Sequence, residues 1–231
     1  MRRRRAVQMT ADYDEQRVKM VDGQLRTTDV TSRPVLDAFL SVPREAFVPS
    51  RRKSLAYIDE DIDITPTGAT APRYLMEPSP LAKLVQLAEI GRDDVVLDVG
   101  AGGGYASAIL SRLAGSVIAL ESDPTLVEDA SAVLSRLGYD NVAVVQGELA
   151  DGYPSEAPYD VIFIGGAVDQ IPQKLFDQLK QGGRLVAVEG IGNSGVARLH
   201  VRDGSTVSGR RGFNAAVKPL PGFERKPAFE F

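Results

Sequence analysis

A glycine cluster directly follows an apolar segment in the middle of the chain, and these residues are the ones best suited to binding a ligand. The apolar segment, Val95–Val99, is rich in β-branched residues and is typical of a buried parallel strand. Gly100, Gly102 and Gly104 follow it, and the apolar spacing after them predicts a helix. Glycines between a strand and a helix let the backbone and the helix N-terminus approach a ligand closely. The turn therefore predicts a site for a nucleotide or nucleoside cofactor.

An acidic residue follows the turn at a useful distance. Glu121 comes at the end of the next predicted strand, where its carboxylate can accept hydrogen bonds from both hydroxyls of a ribose. NAD and S-adenosylmethionine both carry a ribose that such a residue would bind. The third glycine of the dinucleotide pattern is replaced by Tyr105, and no Gly-Lys-Ser/Thr sequence follows to make a P-loop. At this point NAD and S-adenosylmethionine both remain open.

Few side chains are available for acid–base, thiol or metal chemistry. The sequence has no cysteine, which excludes disulfides, thiolate metal sites and cysteine nucleophiles. Its one histidine, His200, lies in an alternating segment typical of a strand, where we expect a structural role. We therefore expect no metal site and a reaction that does not depend on histidine.

The composition is that of an ordinary globular protein. The 231 residues are 43% hydrophobic and 25% charged, with a net charge of −4 that does not favour nucleic-acid binding. The sequence contains no run of about 18 apolar residues, so it predicts no membrane-spanning helix. Arg2–Arg5 form a basic run that we interpret as part of a disordered terminus over residues 1–11. The absence of cysteine fits a reducing compartment, and we expect a cytoplasmic protein. The sequence leaves the oligomeric state open, with a monomer as one option.

Strands and helices alternate through the middle of the chain, which predicts a doubly wound, mostly parallel α/β sheet. We expect residues 12–231 to form a single domain. It divides into a helical and substrate-loop region (12–80), a cofactor-binding core (81–190) and antiparallel edge strands (191–231). Within the first region we expect helices in two pieces over 12–52 and an ordered loop over 62–80. The predicted strands are 95–99, 116–120, 142–145, 160–164 and 184–188, and the predicted helices are 81–90, 104–113, 124–137 and 172–180.

Several motifs in the same order resemble the protein-L-isoaspartate O-methyltransferase family. The matching segments include Val96–Tyr105, Gly138–Val142, Ala157–Asp160 and Gln178–Val186, with Val42–Pro49 upstream. The resemblance covers residues 21–220. It implies a Rossmann-like methyltransferase sheet, S-adenosylmethionine as the cofactor, and methylation of isoaspartyl carboxylates in damaged proteins or peptides.

The resemblance also implies roles for individual residues around the cofactor. Gly100, Ala101, Gly102 and Gly104 would pass under the cofactor, Glu121 would bind its ribose, and Asp98 would anchor the turn and the methionine end. The family's Gly-Asp-Gly near the adenine appears here as Gly147-Glu148-Leu149, which makes Glu148 the candidate for the adenine amine. The resemblance assigns no catalytic residue.

The chain departs from the family where the methyl acceptor would bind. The family has a Thr-Ile-Ser-Gln-Pro type motif there, and the ungapped alignment places Tyr74–Pro78 on it, so that Met76 replaces the serine. A gapped alignment places Thr70 on the motif instead. Ser79 is a third nearby hydroxyl, which we expect to be structural. This chain is therefore identified as an atypical member without the usual hydroxyl motif.

Three functions follow from these observations. The first is methylation of isoaspartyl carboxylates. The second is methylation of another acceptor by the same cofactor, because Met76 replaces the serine. The third is a non-catalytic protein that binds the cofactor. Methyl transfer to a carboxylate needs neither a metal nor a strong base, since the acceptor is already a nucleophile at pH 7.

Overall fold

The computed structural model describes residues 13–224, and its main feature is a seven-stranded sheet. The strands are β3 (Val95–Val99), β4 (Ser116–Glu121), β5 (Val142–Gln146), β6 (Tyr159–Val168), β7 (Leu179–Glu189), β8 (Val196–Asp203) and β9 (Thr206–Asn214). Their order across the sheet is β5-β4-β3-β6-β7-β8-β9; the first five in that order are parallel to one another, and β8 and β9 each pair antiparallel with the strand before them. The predicted doubly wound sheet with antiparallel edge strands is confirmed.

Helices cover both faces of the sheet, and apolar side chains fill the space between the layers. The parallel strands read as nearly continuous apolar runs because both of their faces are buried. The helices are α1 (residues 13–20), α2 (Arg33–Ser41), α3 (Pro78–Leu87), α4 (Tyr105–Ser111), α5 (Pro124–Leu137) and α6 (Gln173–Asp177). Short π or 3-10 turns lie at Val21–Leu25, Arg26–Thr28, Arg44–Phe47, Ser50–Leu55, Leu149–Asp151, Pro154–Glu156 and Gly192–Ser194.

Helix α5 shows how local sequence sets an element's bounds. The Asp123 side chain accepts hydrogen bonds from the backbone N–H groups of Thr125 and Leu126, at 2.9 and 3.2 Å, and so caps the first turn. Gly138 ends the helix in a left-handed conformation, with φ of 76°. The predicted helix 124–137 is confirmed at both ends.

Other predicted bounds were wrong. Helix α3 begins at Pro78 instead of residue 81, because proline is well tolerated in the first turn, where its missing N–H has no helical partner. The predicted helix 172–180 ends at Asp177, since Leu179 already pairs with Tyr159 in the sheet. The predicted ordered loop contains a two-stranded antiparallel sheet of β1 (Ile62–Asp63) and β2 (Tyr74–Leu75). Arg2–Arg5 and the rest of the predicted disordered terminus lie outside the described residues.

Strand β3 lies at the point where the chain reverses its direction of travel across the sheet. Its neighbours are β4 on one side and β6 on the other, both parallel to it. In open α/β sheets, ligands bind in the crevice beyond the carboxyl ends of the strands at such a point. The glycine turn follows β3 and therefore lies in this crevice.

Candidate cofactor and acceptor site

The glycine turn has the backbone conformation that only glycine adopts readily. Gly100, Gly102 and Gly104 have φ values of 84°, 55° and 90°. The N–H groups of Gly100 and Ala101 both donate to the carbonyl of Leu120, at 2.9 and 3.0 Å, which fixes the turn to the end of β4. A Cβ added at Gly102 would lie 3.0 Å from the Ile64 Cδ1 atom, so a side chain there would press on Ile64 as well as adopt a left-handed φ.

Asp98 lies inside β3, just before the turn, and is fully buried. One of its oxygens accepts a hydrogen bond from the Ser107 hydroxyl of α4 at 2.6 Å, which ties the strand to the helix. The other oxygen has no hydrogen-bond partner within the chain. Burial raises the pKa of Asp98 to about 7, with a smaller contribution from the nearby Glu121 carboxylate. The free oxygen fits the predicted role at the methionine end, because that end of the cofactor carries an ammonium group.

Glu121 ends β4 and has no exposed surface. One carboxylate oxygen accepts from the Gly102 N–H at 2.8 Å and from the Arg73 guanidinium. The other accepts from the backbone N–H groups of Ser122 and Asp123 at 2.8 and 3.0 Å. Both oxygens that were predicted to bind a ribose therefore already have partners within the protein.

Sequence reasoning missed Arg73. The residue is 5% exposed, and one of its terminal nitrogens, Nη2, pairs with Glu121. The other terminal nitrogen, Nη1, is buried without a partner. The only available signal was an arginine immediately before the residues aligned with the acceptor motif. Nothing in the local sequence indicated that its side chain would reach β4.

A cavity of about 450 Å³ lies next to Arg73 and to the residues that directly follow Glu121 in the chain. Thr70, Arg73 and the exposed Glu148 all line it, together with Ser122 and the capping Asp123. The structure thus brings Glu148 to the same cavity as the residues next to Glu121. Thr70 is exposed on the wall of this cavity rather than beside the glycine turn.

Two smaller cavities lie on the other side of Arg73 and Met76: one of about 20 Å³ over the glycine turn, and one of about 10 Å³ beside it that Gly165 and Met76 also line. Met76 lines both of them and is 6% exposed, and Gly165 of β6 lies across from it. Lys218 and Asp61 line the smaller one. Burial raises the pKa of Asp61, whose carboxylate accepts a hydrogen bond from the Glu77 N–H at 3.0 Å. Met76, which the ungapped alignment puts in place of the family's serine, therefore lies beside the glycine turn.

Two further side chains hold this region in place. Arg44 is fully buried, with its guanidinium 4.8 Å from the centre of the Tyr105 ring. It donates to the carbonyl of Met76 at 2.8 Å, and burial lowers its pKa from the ordinary value. Ser79 donates to the Thr28 hydroxyl at 2.8 Å, so its hydroxyl joins α3 to the N-terminal turns.

His200 lies on β8, away from the glycine turn. Its Nε2 atom is 2.6 Å from a Glu189 carboxylate oxygen, and its ring packs edge-on against Phe176 with centroids 5.3 Å apart. Among residues 13–224 no group of three or more His, Asp or Glu side chains is arranged to hold a metal ion. Over the same residues, no helix is both long and apolar enough to cross a membrane.

Comparisons with known proteins agree on one family. Residues 15–214 match the family described as Protein-L-isoaspartate(D-aspartate) O-methyltransferase (PCMT). A protein-L-isoaspartate O-methyltransferase 2 from Archaeoglobus fulgidus is 40% identical over 178 residues, covering 76% of this chain and 78% of the relative. A protein-L-isoaspartate O-methyltransferase from Roseiflexus sp. strain RS-1 is 36% identical over 211 residues, covering 91% and 94%.

Solved structures show the same fold. A protein-L-isoaspartate O-methyltransferase aligns with a TM-score of 0.79 and 29% identity over 89% of this chain, which spans 66% of that chain's length. A Plasmodium falciparum structure in complex with S-adenosyl-L-homocysteine aligns with a TM-score of 0.72 and 20% identity, over 87% of this chain and 96% of its own. The chain belongs to the protein-L-isoaspartate(D-aspartate) O-methyltransferase family.

Proposed function

We propose that this protein transfers a methyl group from S-adenosylmethionine to the free carboxylate of isoaspartyl residues in damaged proteins or peptides. Family membership confirms the predicted methyltransferase activity and the predicted cofactor. The observation that carries the proposal is the glycine turn, bounded by the unpaired oxygen of Asp98 and the buried carboxylate of Glu121.

We assign the cofactor to the residues that the sequence singled out. Asp98 would bind the methionine ammonium with its free oxygen, and Glu121 the ribose hydroxyls. Glu148 would bind the adenine amine from the wall of the 450 Å³ cavity. The remaining residues of this set, Gly100, Ala101, Gly102 and Gly104, supply the close backbone approach.

The cofactor supplies an electrophilic methyl group, and the residues of this chain supply position and exclusion of water. Met76, Leu75 and Ile64 cover the glycine turn with buried apolar side chains. An apolar cover removes water from a carboxylate acceptor and strengthens its attraction to the positively charged sulfonium. The reaction needs no proton transfer, which fits a site far from His200, the sole histidine of the sequence.

The proposal includes an organisation of the chain. Residues 12–80 would cover the site and select the acceptor, 81–190 would bind the cofactor, and 191–231 would complete the sheet. We include a cytoplasmic location, which rests on the absence of cysteine from the sequence.

Transfer of a tritiated methyl group to an isoaspartyl peptide tests the proposal. The same peptide with a normal aspartate is the control, and it should gain no label above background. Cofactor binding is measured in parallel by calorimetry. Binding of the cofactor without transfer to the isoaspartyl peptide would reject the proposed acceptor and leave the cofactor site intact.

A different carboxylate or hydroxyl acceptor is the second candidate, and Met76 supports it. An apolar side chain lies where the ungapped alignment expects the family's serine, next to the glycine turn. Restoring the hydroxyls with Tyr74→Thr and Met76→Ser should raise isoaspartyl transfer if this difference sets the acceptor. Unchanged or lower transfer in a folded double variant would show that the two positions do not set it.

A further inference from the structure

The backbone of Arg73 is fixed, whereas its side chain can change partners. Its N–H donates to the Thr65 hydroxyl at 2.9 Å, and its carbonyl accepts from the Ile64 N–H at 2.9 Å. These bonds hold the residue beside β2 from both sides of its peptide unit. The four-bond side chain can therefore swing without any movement of the main chain.

The guanidinium of Arg73 has a buried N–H donor without an acceptor, which is energetically unfavourable. Arginine stays charged at any physiological pH and offers five N–H donors. Nη2 donates to Glu121, but Nη1 is buried with no partner in the chain. A buried donor without an acceptor is unfavourable, and a second carboxylate would satisfy it.

Arg73 also separates the two parts of the site. It lines the 450 Å³ cavity with Ser122 and Glu148, and it lines the smaller cavity with Met76 and Lys218. The first cavity is where we place the adenosine, and the second shares Tyr74, Met76 and Gly165 with the cavity over the glycine turn, on the acceptor side. A short swing of one side chain therefore moves the positive charge from the cofactor side to the acceptor side.

Binding of a ribose at Glu121 favours such a swing. The carboxylate already accepts from the backbone N–H groups of Gly102, Ser122 and Asp123, all within the two turns that shape the site. A carboxylate has about four acceptor positions, so ribose hydroxyls must replace an existing donor. Two of the donors come from side chains, the Ser122 hydroxyl at 3.3 Å and Arg73, and Arg73 has the longer side chain that can move away from the carboxylate.

We propose that Arg73 binds the carboxylate of the methyl acceptor, and that Glu121 holds Arg73 away from the acceptor until the cofactor's ribose takes its place. This inference rests on the proposed function and adds a specificity-determining residue to it. A cation at this position supplies the polar contact that the hydroxyl motif lacks here, since Met76 offers none. It also gives an order of binding in which the cofactor precedes the acceptor.

Lys218 is the other cation beside the smaller cavity, and it makes a matched control. Its ammonium is 5.5 Å from the centre of the Tyr74 ring, and the residue is exposed. An exposed ammonium keeps its hydration and gains little from a new carboxylate partner. We therefore expect Arg73, rather than Lys218, to decide whether a carboxylate binds.

The test measures peptide binding by calorimetry, with and without saturating S-adenosylhomocysteine. The ligands are an isoaspartyl peptide and the same peptide with its acceptor carboxylate replaced by a carboxamide. For the natural protein we expect S-adenosylhomocysteine to tighten binding of the carboxylate peptide at least tenfold and to leave the carboxamide peptide unchanged. Arg73→Gln should bind S-adenosylhomocysteine at least as tightly as the natural protein and lose the tenfold effect. Lys218→Met should keep it.

Each remaining outcome decides the proposal. A tenfold effect that survives in Arg73→Gln would overturn it. A loss of S-adenosylhomocysteine binding by Arg73→Gln as large as its loss of peptide binding would also overturn it, because it would show that Arg73 is a structural brace. Arg73→Lys keeps a positive charge for Glu121 and so guards against misfolding, and it should retain a reduced effect. If the natural protein shows the cofactor-dependent preference but methylates no isoaspartyl peptide, the assignment of Arg73 stands and the proposed acceptor fails. If the natural protein methylates the isoaspartyl peptide but shows no cofactor-dependent preference, the proposed acceptor stands and the assignment of Arg73 fails.

Discussion

Asp98→Asn should make the protein more stable at neutral and alkaline pH and remove one component of its pH dependence. The carboxyl group is fully buried, and one of its oxygens has no partner. Burial raises its pKa from 3.8 to about 7, while the Ser107 hydrogen bond and the Arg73 charge act in the opposite direction. Asparagine is similar in shape, can still accept from Ser107, and carries no charge at any pH.

The sign and the size follow from proton linkage. Between pH 3.8 and about 7 the folded chain holds a proton on Asp98 that the unfolded chain has lost. Stability due to this group is therefore complete below the unfolded pKa and declines as the pH rises to the folded pKa. One pKa unit corresponds to about 1.4 kcal/mol, so a displacement of about 3 units gives a total of about 4 kcal/mol.

Urea unfolding of both proteins from pH 5 to pH 8.5 measures the effect. The free energy of unfolding of the natural protein, minus that of Asp98→Asn, should fall by about 1.4 kcal/mol per pH unit up to about pH 7 and then level off. Asp160→Asn is the control, because Lys180 and the Val95 N–H hold the pKa of Asp160 below its ordinary value, outside this range. A difference for Asp98→Asn that is constant with pH, or that rises, would refute the reasoning.

Three further substitutions test the site and the fold. Glu121→Gln should weaken S-adenosylhomocysteine binding, measured by calorimetry, and should lower the free energy of unfolding in urea by about 3–5 kcal/mol, because Arg73 loses its ion pair. The control is the exposed Glu148→Gln, which should change binding only a few-fold and leave stability unaltered. Gly102→Val should abolish calorimetric cofactor binding, because φ is 55° and the new Cβ would lie 3.0 Å from Ile64, and binding that persists would show that the turn can relax. Gly138→Ala should lower the free energy of unfolding by about 1 kcal/mol through its left-handed φ alone, since nothing lies within 4 Å of the added Cβ. Cofactor binding should be unchanged, and an unchanged urea midpoint would count against this account.

Elements whose limits are set by neighbouring residues could be predicted from the sequence. Strand β3 has the predicted bounds because β-branched residues run directly into glycines. Helix α5 likewise ends where its capping residues, Asp123 and Gly138, predict. In each of these cases the signal lies within a few residues of the boundary that it fixes.

Limits and contacts that depend on distant residues could not be predicted. Strand β7 begins at Leu179 because of its pairing with Tyr159, twenty positions earlier in the chain. The pair of Arg73 with Glu121 joins residues 48 positions apart, and no periodicity records it. The glycine turn and Glu121 were recognisable from spacing, whereas the hydrogen-bond partners of Glu121 depend on tertiary structure.

The pairing of Arg73 with Glu121 also affects which molecules compete for this site. A bare buried carboxylate would attract the abundant cations of a cell, such as magnesium or polyamines, and each would have to leave before a nucleoside could enter. Arg73 already neutralises Glu121, so the site presents little net field to such ions. Ribose hydroxyls are neutral, so they can replace the hydrogen bond from Arg73 but not its charge. The built-in counterion thus disfavours the binding of free cations at Glu121.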